Sequence, residues 1–294
     1  MEAQTARDIP DGLRPIDTAA LSDALAVLER GFPERTRPFW EAGFARWDAL
    51  IPDDGGRGPP GYILRAEGAD VGVMLTFRSR RAGPDGAAYT QVNLSSWYLD
   101  AAHRWKAPMM LRRIVGDGQA VFTDLSPSPA VDRINAALGF DLWSDGTLIA
   151  GALPWAAMRS RRPARVLSLA ESPAHLLARE EQALLERHAA IGCIAAVLHE
   201  AGSVSALLFR TTRIKRIPAA QLIYVDSRQR LIDHLPVVMR FLLARGIVLL
   251  SIDAVRSQCP RGCLFRAGRR RYWRGRIDRD RLDYAGSELV VLEM

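Results

Sequence analysis

The sequence predicts an α/β protein built as two domains, each a mixed central sheet flanked by helices. Strand-type and helix-type runs alternate along the chain, and the order found in the first half returns in the second. The 294 residues, 48% of them hydrophobic, are enough for two cores of ordinary size. A repeat spanning more than about a hundred residues is the signature of a duplicated domain rather than a solenoid.

Ala19–Phe32 (AALSDALAVLERGF) places apolar residues at helical spacing, and Pro38–Leu50 (PFWEAGFARWDAL) repeats the pattern with a heavy aromatic load, so two helices are expected. Gly61–Ala66 and Val71–Phe77 flank a short Glu67-Gly68-Ala69-Asp70 turn and read as a hairpin. Val92–Asp100 (VNLSSWYLD) is a strand that breaks into a basic turn, Ala101–Pro108, before a helix-like MMLRRIV and a second strand, Ala120–Ser126 (AVFTDLS). SPAVDRINAALGFDLW then gives a helix ending at Gly139-Phe140 and a further strand-like run.

The basic turn is the most informative of these features. The first amides of a helix lack partners within it and carry partial positive charge, so a strand-to-helix turn seats an anion, and Arg104 and Lys106 add full charges there. In open α/β sheets this is the carboxyl end of a strand, where ligands bind.

The second half repeats the order. Pro173–Ile191 is helical, the runs CIAAVLHE and SVSALLFRTTRI flank Ala201-Gly202 as a hairpin, and AQLIYVDSRQ leads to a helix from about Arg230 to Arg245 ending at Gly246. The strand IVLLSIDA follows. Tyr224-Val225-Asp226 parallels Tyr98-Leu99-Asp100, and Ser251-Ile252-Asp253 parallels Thr123-Asp124. The expected organisation is a loose tail over 1–12, a first domain over 13–158, a linker over 159–172 and a diverged second domain over 173–294 that shapes the first one's cleft.

Residues 92–140, with the two helices and hairpin before them, resemble the GNAT acyltransferase superfamily, whose core binds acyl-coenzyme A. The resemblance rests on the strand end Trp97-Tyr98-Leu99-Asp100, the turn beginning at Arg104, and the closing Gly139-Phe140. It implies acetyl-coenzyme A or another acyl-coenzyme A as co-substrate, held by Trp97, Leu99, Arg104, Trp105, Lys106, Ala107, Pro108 and Met109. The family turn has the pattern R/Q-x-x-G-x-G/A; here Ala107 and Met109 stand at its glycine positions, with Pro108 between them. Where the family often carries an Asn and a proton-donating Tyr, this chain has Ser128 and Asn135, and an amide side chain has no titratable proton. The catalytic candidates are therefore Tyr98, Ser96, Asp124, Ser128 and Asn135, with Asp124 read either as a base or as a helix cap.

Charge separates the halves. Residues 1–154 carry 16 Lys/Arg against 20 Asp/Glu and residues 155–294 carry 24 against 13, so the net +7 divides into −4 and +11. The densest cluster, Arg266–Arg281, embeds Tyr272 and Trp273 and is diluted by Asp278 and Asp280. No nucleic-acid motif accompanies it, which disfavours nucleic acid. Three cysteines argue against a disulfide scaffold, and Cys259 and Cys263 lack the second ligand pair of a zinc site, so no metal is expected. No basic-then-apolar leader and no membrane-length apolar run is present, which points to a cytoplasmic protein, monomeric or homodimeric.

The resemblance implies transfer of an acetyl or other acyl group from acyl-coenzyme A to an amine, less often a hydroxyl, of a small molecule, a sugar or a protein. The competing expectation is a non-catalytic module of the same fold that binds an anionic partner through its basic second half.

Overall fold

The computed structural model describes residues 10–51, 57–82, 88–160 and 163–293. Most of the expected tail, up to Ile9, and Arg161 and Arg162 of the expected linker lie outside the described residues. The chain forms two compact units, one ending at Asp124 and the other beginning at Leu125. Both are mixed α/β.

In the first unit, β1 (Gly12–Pro15), β2 (Gly61–Ala66), β3 (Ala69–Ala82) and β4 (Ala88–Leu99) form an antiparallel meander, and β5 (Val121–Asp124) joins β4 in parallel. Helices α1 (Leu21–Gly31) and α2 (Arg37–Leu50) lie between β1 and β2 in sequence; a 3₁₀ helix (Ala101–Lys106) and α3 (Ala107–Ile114) link β4 to β5. The aromatic load of α2 is buried at helical spacing, with Trp40, Phe44 and Trp47 inside and Trp47 6.0 Å from the Phe77 ring. Pro38 sits in the first turn of α2, where its missing amide costs nothing. The β2–β3 turn puts Glu67 and Gly68 at φ 54° and 76°, the left-handed pair that matches hairpin twist, and both amides donate to Asp11 (2.7 and 3.1 Å).

The second unit opens with α4 (Pro129–Ala137), β6 (Asp141–Gly151) and the short α5 (Ala152–Ala156). A second meander follows: β7 (Ala164–Ser168), α6 (Arg179–Ala190), β8 (Ile194–Glu200), β9 (Ser203–Ile214) and β10 (Ile217–Val225). The chain then passes through α7 (Arg228–Asp233) and α8 (Leu235–Leu243) to β11 (Leu249–Ala254), parallel to β10, and ends with β12 (Leu264–Arg274) and one turn, α9 (Glu288–Val291). The unit's strand order is β12-β6-β11-β10-β9-β8-β7. The meander, helical crossover and parallel strand of the first unit are thus repeated. Packed beneath this sheet are Leu148, Phe209, Leu222, Val238, Leu242 and Ile252.

Four local features differ from the sequence expectations. The helix expected over 230–245 is two helices that break at His234, because Pro236 has no amide to donate and disfavours helical geometry before it. The helix expected from Pro173 begins only at Arg179, after a 3₁₀ turn and an extended Ala178 (ψ 144°). Ala164–Ser168, within the stretch read as a linker, is a strand paired with β8. The Arg-rich run is also a strand: β12 is held by its ladder with β6, while most of its side chains stay exposed. Among the described residues no helix is long and apolar enough to cross a membrane.

Candidate functional site

The end of β4 departs from a regular ladder. Ser95 faces Leu75 and Tyr98 faces Val73, so Ser96 and Trp97 together oppose Met74. This is a β-bulge, with Ser96 at φ +43°, a conformation unfavourable for a residue bearing a Cβ. A bulge leaves its extra residue outside the ladder. The pairing with β5 ends at Leu94–Asp124, whereas β4 continues to Leu99. The backbone of Ser95–Leu99 therefore runs past its parallel neighbour at the carboxyl end of the sheet.

The side chains here are ordered by contacts from α1 and β3. Leu99 is buried against Gly72, where an added Cβ would come 2.5 Å from its Cδ2 atom. Tyr98 packs over Gly31, where a Cβ would meet its ring at 2.3 Å, and its hydroxyl donates to Asp100 (2.9 Å). Arg30 donates to both oxygens of Asp100 at 3.1 Å. The hydrogen bond to Asp100 raises the Tyr98 phenol, with burial adding to it. For Asp100, burial acts to raise the carboxyl, but the bonds from Arg30 and Tyr98 prevail and hold it below its ordinary range. Ser95 and Ser96 bring their hydroxyl oxygens within 3.2 Å, and Trp97 buries its indole N–H without a hydrogen-bond partner among the described residues.

Helical structure starts at Ala101, six residues before α3, so the amides of the expected anion seat are partly used. The Ala107 amide donates to the Arg104 carbonyl, and Pro108 has none. What the turn offers is charge: Arg104 is exposed, and the Lys106 ammonium lies 4.8 Å above the ring of Trp105, which is 73% exposed. Met109 is also exposed.

The remaining candidates occupy different surroundings. Asp124 is buried at the end of β5, next to Thr123, whose carbonyl and hydroxyl lie 3.4 Å from the Asn93 amide. In the second unit, Ser128 is the exposed N-cap residue of α4, with no capping bond from its side chain. Asn135 is wholly buried, and its carbonyl accepts the Phe140 amide (3.0 Å) where Gly139, at φ +73°, ends the helix. The structure thus gathers Ser96, Trp97, Tyr98 and Leu99 at one strand end, followed directly by Arg104–Met109.

Sequence reasoning missed Arg30, Gly31 and the bulge. Arg30 and Gly31 act through tertiary contacts some seventy residues away in sequence. No local signal marks a serine at positive φ.

The second unit repeats the bulge. In β10, Leu222 faces Phe209 and Tyr224 faces Leu208, leaving Ile223 extra, and the parallel pairing with β11 covers only Ala219–Gln221. There the chain fills its own gap. The Tyr284 amide donates to the Ile223 carbonyl (2.9 Å), and Leu282, Asp283 and Tyr284 border a small cavity between Leu222–Val225 and Ile252-Asp253. Tyr284 is buried against Trp143 (ring centroids 4.6 Å), and Asp253 beneath it accepts from Thr147 (3.1 Å) and pairs with Arg271 (3.2 Å). Glu288, fully buried, accepts from Ser126 (2.7 Å).

No protein-family model and no curated protein sequence matches the chain. Solved structures do. A GCN5-related N-acetyltransferase from Anabaena variabilis superposes with a TM-score of 0.56 at 10% identity, over 90% of this chain and 72% of that one. A GCN5-related N-acetyltransferase from Kribbella flavida gives 0.51 at 13%, over 90% and 71%. The fold is that of the GCN5-related N-acetyltransferases. Eis1 from Mycobacterium abscessus, at TM-score 0.50 and 15% identity, matches 89% of this chain and 73% of its own. Such breadth of coverage means that both units take part in the likeness.

Proposed function

We propose that the protein is an acyltransferase that moves an acyl group from acyl-coenzyme A to an amine, less often a hydroxyl, of a small molecule, sugar or protein. The observation that carries this reading is the β4 bulge at Ser96 beyond the last β4–β5 pair. A strand end of this kind presents backbone amides to a carbonyl oxygen, and in this reading an amide within Ser96–Tyr98 polarises the thioester. The amine attacks the carbonyl carbon, the C–S bond breaks, and the thiolate leaves. In this reading Tyr98, whose phenol the bond to Asp100 keeps protonated, supplies the proton. Trp97 and Leu99 flank the acyl end of the donor. Arg104 and Lys106 bind the pyrophosphate by charge, with Trp105 and Met109 against the remaining nucleotide and Ala107 small enough to let it approach. In this reading Asp124 serves the acceptor side; in the second unit Ser128 opens α4 and Asn135, fully buried, holds its end.

Calorimetric titration with acetyl-coenzyme A tests the reading. Binding is expected, and Arg104→Ala should weaken it by about 1.5–3 kcal/mol, the range for a hydrogen bond to a charged group. No heat at millimolar ligand overturns it.

A second reading, an anion-binding module without catalysis, is favoured by one observation: Arg266, Arg269 and Arg270 project exposed from β12. That reading predicts binding of a polyanion such as heparin, lost in the triple alanine variant, and no acyl transfer from acetyl-coenzyme A to any amine.

A further inference from the structure

The break between α7 and α8 creates a second reactive constellation, entirely within the second unit. His234 is the residue at the break, 2% exposed, with its own amide bonded to the Arg230 carbonyl (3.1 Å). Its ring bridges two groups. Nε2 lies 3.3 Å from Oε1 of Glu200, the last residue of β8, and Nδ1 lies 3.4 Å from the hydroxyl of Ser160, just beyond α5. β7 sets this juxtaposition, since Ala164 pairs directly with Glu200 and brings the chain that carries Ser160 over the helix break.

The carboxylate fixes the tautomer. With the proton on Nε2 donated to Glu200, Nδ1 is the acceptor, and Ser160 is the group that donates to it. A hydroxyl, an imidazole and a carboxylate in series is the arrangement that activates a serine nucleophile, and such bonds are commonly long before substrate binds. Ser160 lines an open groove whose walls include Met158, Pro163 and Val237. Arg240 lines it too, held in place as its Nη1 donates to the carbonyls of Ala156 (3.1 Å) and Met158 (3.0 Å).

We propose that Ser160 is a nucleophile, with His234 its general base and Glu200 a positioning residue, and that this groove hydrolyses carboxylic esters of short apolar acyl chains. The Ser160 oxygen bonds to the carbonyl carbon as its proton passes to Nδ1 of His234. The ester C–O bond then breaks, and the leaving oxygen takes that proton. Water, deprotonated by the same ring, adds its oxygen to the acyl carbon; the bond to the Ser160 oxygen breaks, that oxygen takes the proton back from Nδ1, and the carboxylic acid leaves. Glu200 stabilises the transient imidazolium, the apolar wall receives the acyl chain, and the Arg240 guanidinium faces the oxyanion.

The test is reaction of the full chain with a fluorophosphonate probe, mapped by peptide mass spectrometry, together with turnover of p-nitrophenyl butyrate. One adduct, on Ser160, is expected. Ser160→Ala should abolish both signals while leaving the circular dichroism spectrum and the acetyl-coenzyme A titration unchanged, which keeps this site's fate separate from that of the donor site. His234→Gln should slow labelling by about 100-fold or more, in the range of lost general-base catalysis. Glu200→Gln should slow it less, and Glu200→Asp, which restores a carboxylate facing Nε2, should recover part of the lost rate. No adduct on Ser160, or butyrate turnover unaltered in Ser160→Ala, overturns the proposal even if His234→Gln fails to fold. Labelling of Glu200→Asp no faster than that of Glu200→Gln removes Glu200 from it.

Discussion

The ends of β4 and β10 are built on the same plan but covered differently. Each follows an antiparallel meander, carries a bulge, outruns a parallel neighbour, and places a tyrosine beyond the bulge whose hydroxyl meets a carboxylate: Tyr98 with Asp100, Tyr224 with Glu181 (2.8 Å). At β10 the unit's own C-terminal segment bonds to the bulge and buries Tyr284 beside it. At β4, among the described residues, no strand of its own unit pairs with Ser95–Leu99 on the β5 side. The bulge is therefore a property of the duplicated strand. What marks one copy as the candidate donor site is that, among the described residues, its own unit supplies no such segment, together with the arginine and lysine of the turn that follows.

The largest effect should come from uncovering β10. Ending the chain at Arg281 removes Leu282, Tyr284 and Leu289–Leu292, all buried. At about 1.5–3 kcal/mol for each large apolar side chain, the loss rivals the whole stability of a typical domain, and the second unit should no longer unfold cooperatively in urea. Tyr284→Ala is the milder version. It deletes a ring 4.6 Å from Trp143 and beneath the Arg271 guanidinium (5.1 Å), at a cost of about 3–5 kcal/mol. If the truncated chain unfolds like the parent, the segment only decorates β10 and the contrast between the two copies fails.

That segment also shows where sequence reading reaches its limit. The helices, hairpins and parallel strands were legible because their burial is periodic: α1, α2, β2–β3, β8–β9 and both Tyr-x-Asp strand ends lie where spacing puts them. β12 was not, because strand pairing is a backbone property and five arginines between 266 and 274 erase the alternation that announces it. The Tyr284 segment was illegible for a different reason. Its role depends on meeting Ile223, some sixty residues earlier, and nothing in the run Leu282-Asp283-Tyr284 specifies that partner. In the candidate site, the order of residues from Trp97 to Met109 was legible; the direction of Tyr98, set by Gly31 and Arg30, was not. The break at His234 could have been read from Pro236.

A smaller effect tests the bulge itself. Ser96 adopts φ +43°, which costs a residue with a Cβ about 1–2 kcal/mol, whereas glycine adopts it freely. Ser96→Gly should therefore stabilise the protein, with the gain trimmed by the greater entropy of the unfolded glycine, and should retain acyl transfer if the amide rather than the hydroxyl acts on the thioester. Ser96→Val should lose stability, since a β-branched residue fits that conformation least. Thermal melts of the two variants rank them directly. Melting of Ser96→Gly below the parent would mean that the serine hydroxyl, 3.2 Å from Ser95, contributes more than the strain costs.

The smallest effect, with opposite signs in the two copies, concerns the carboxylates that meet the tyrosines. Asp100 has Arg30 beside it and is held below its ordinary value; Glu181 is raised by burial, with the Tyr224 hydroxyl opposing and nearby Asp226 adding to the rise. A lowered carboxyl contributes stability above its unfolded value of 3.8 and loses it as pH falls through the folded value. A raised one contributes fully below its unfolded value of 4.5 and loses that contribution as pH climbs through the folded value, so at neutral pH Glu181 is a burden. Glu181→Gln keeps an acceptor for Tyr224 and should gain stability at pH 7.5 and gain less at pH 4. Asp100→Asn should lose stability at pH 7.5, by no more than about 1 kcal/mol, because Arg30 is 45% exposed and its attraction is screened. Urea titrations at the two pH values read both. Variants that move in the same direction would show that the arginine beside Asp100 does not distinguish the two tyrosine sites electrostatically.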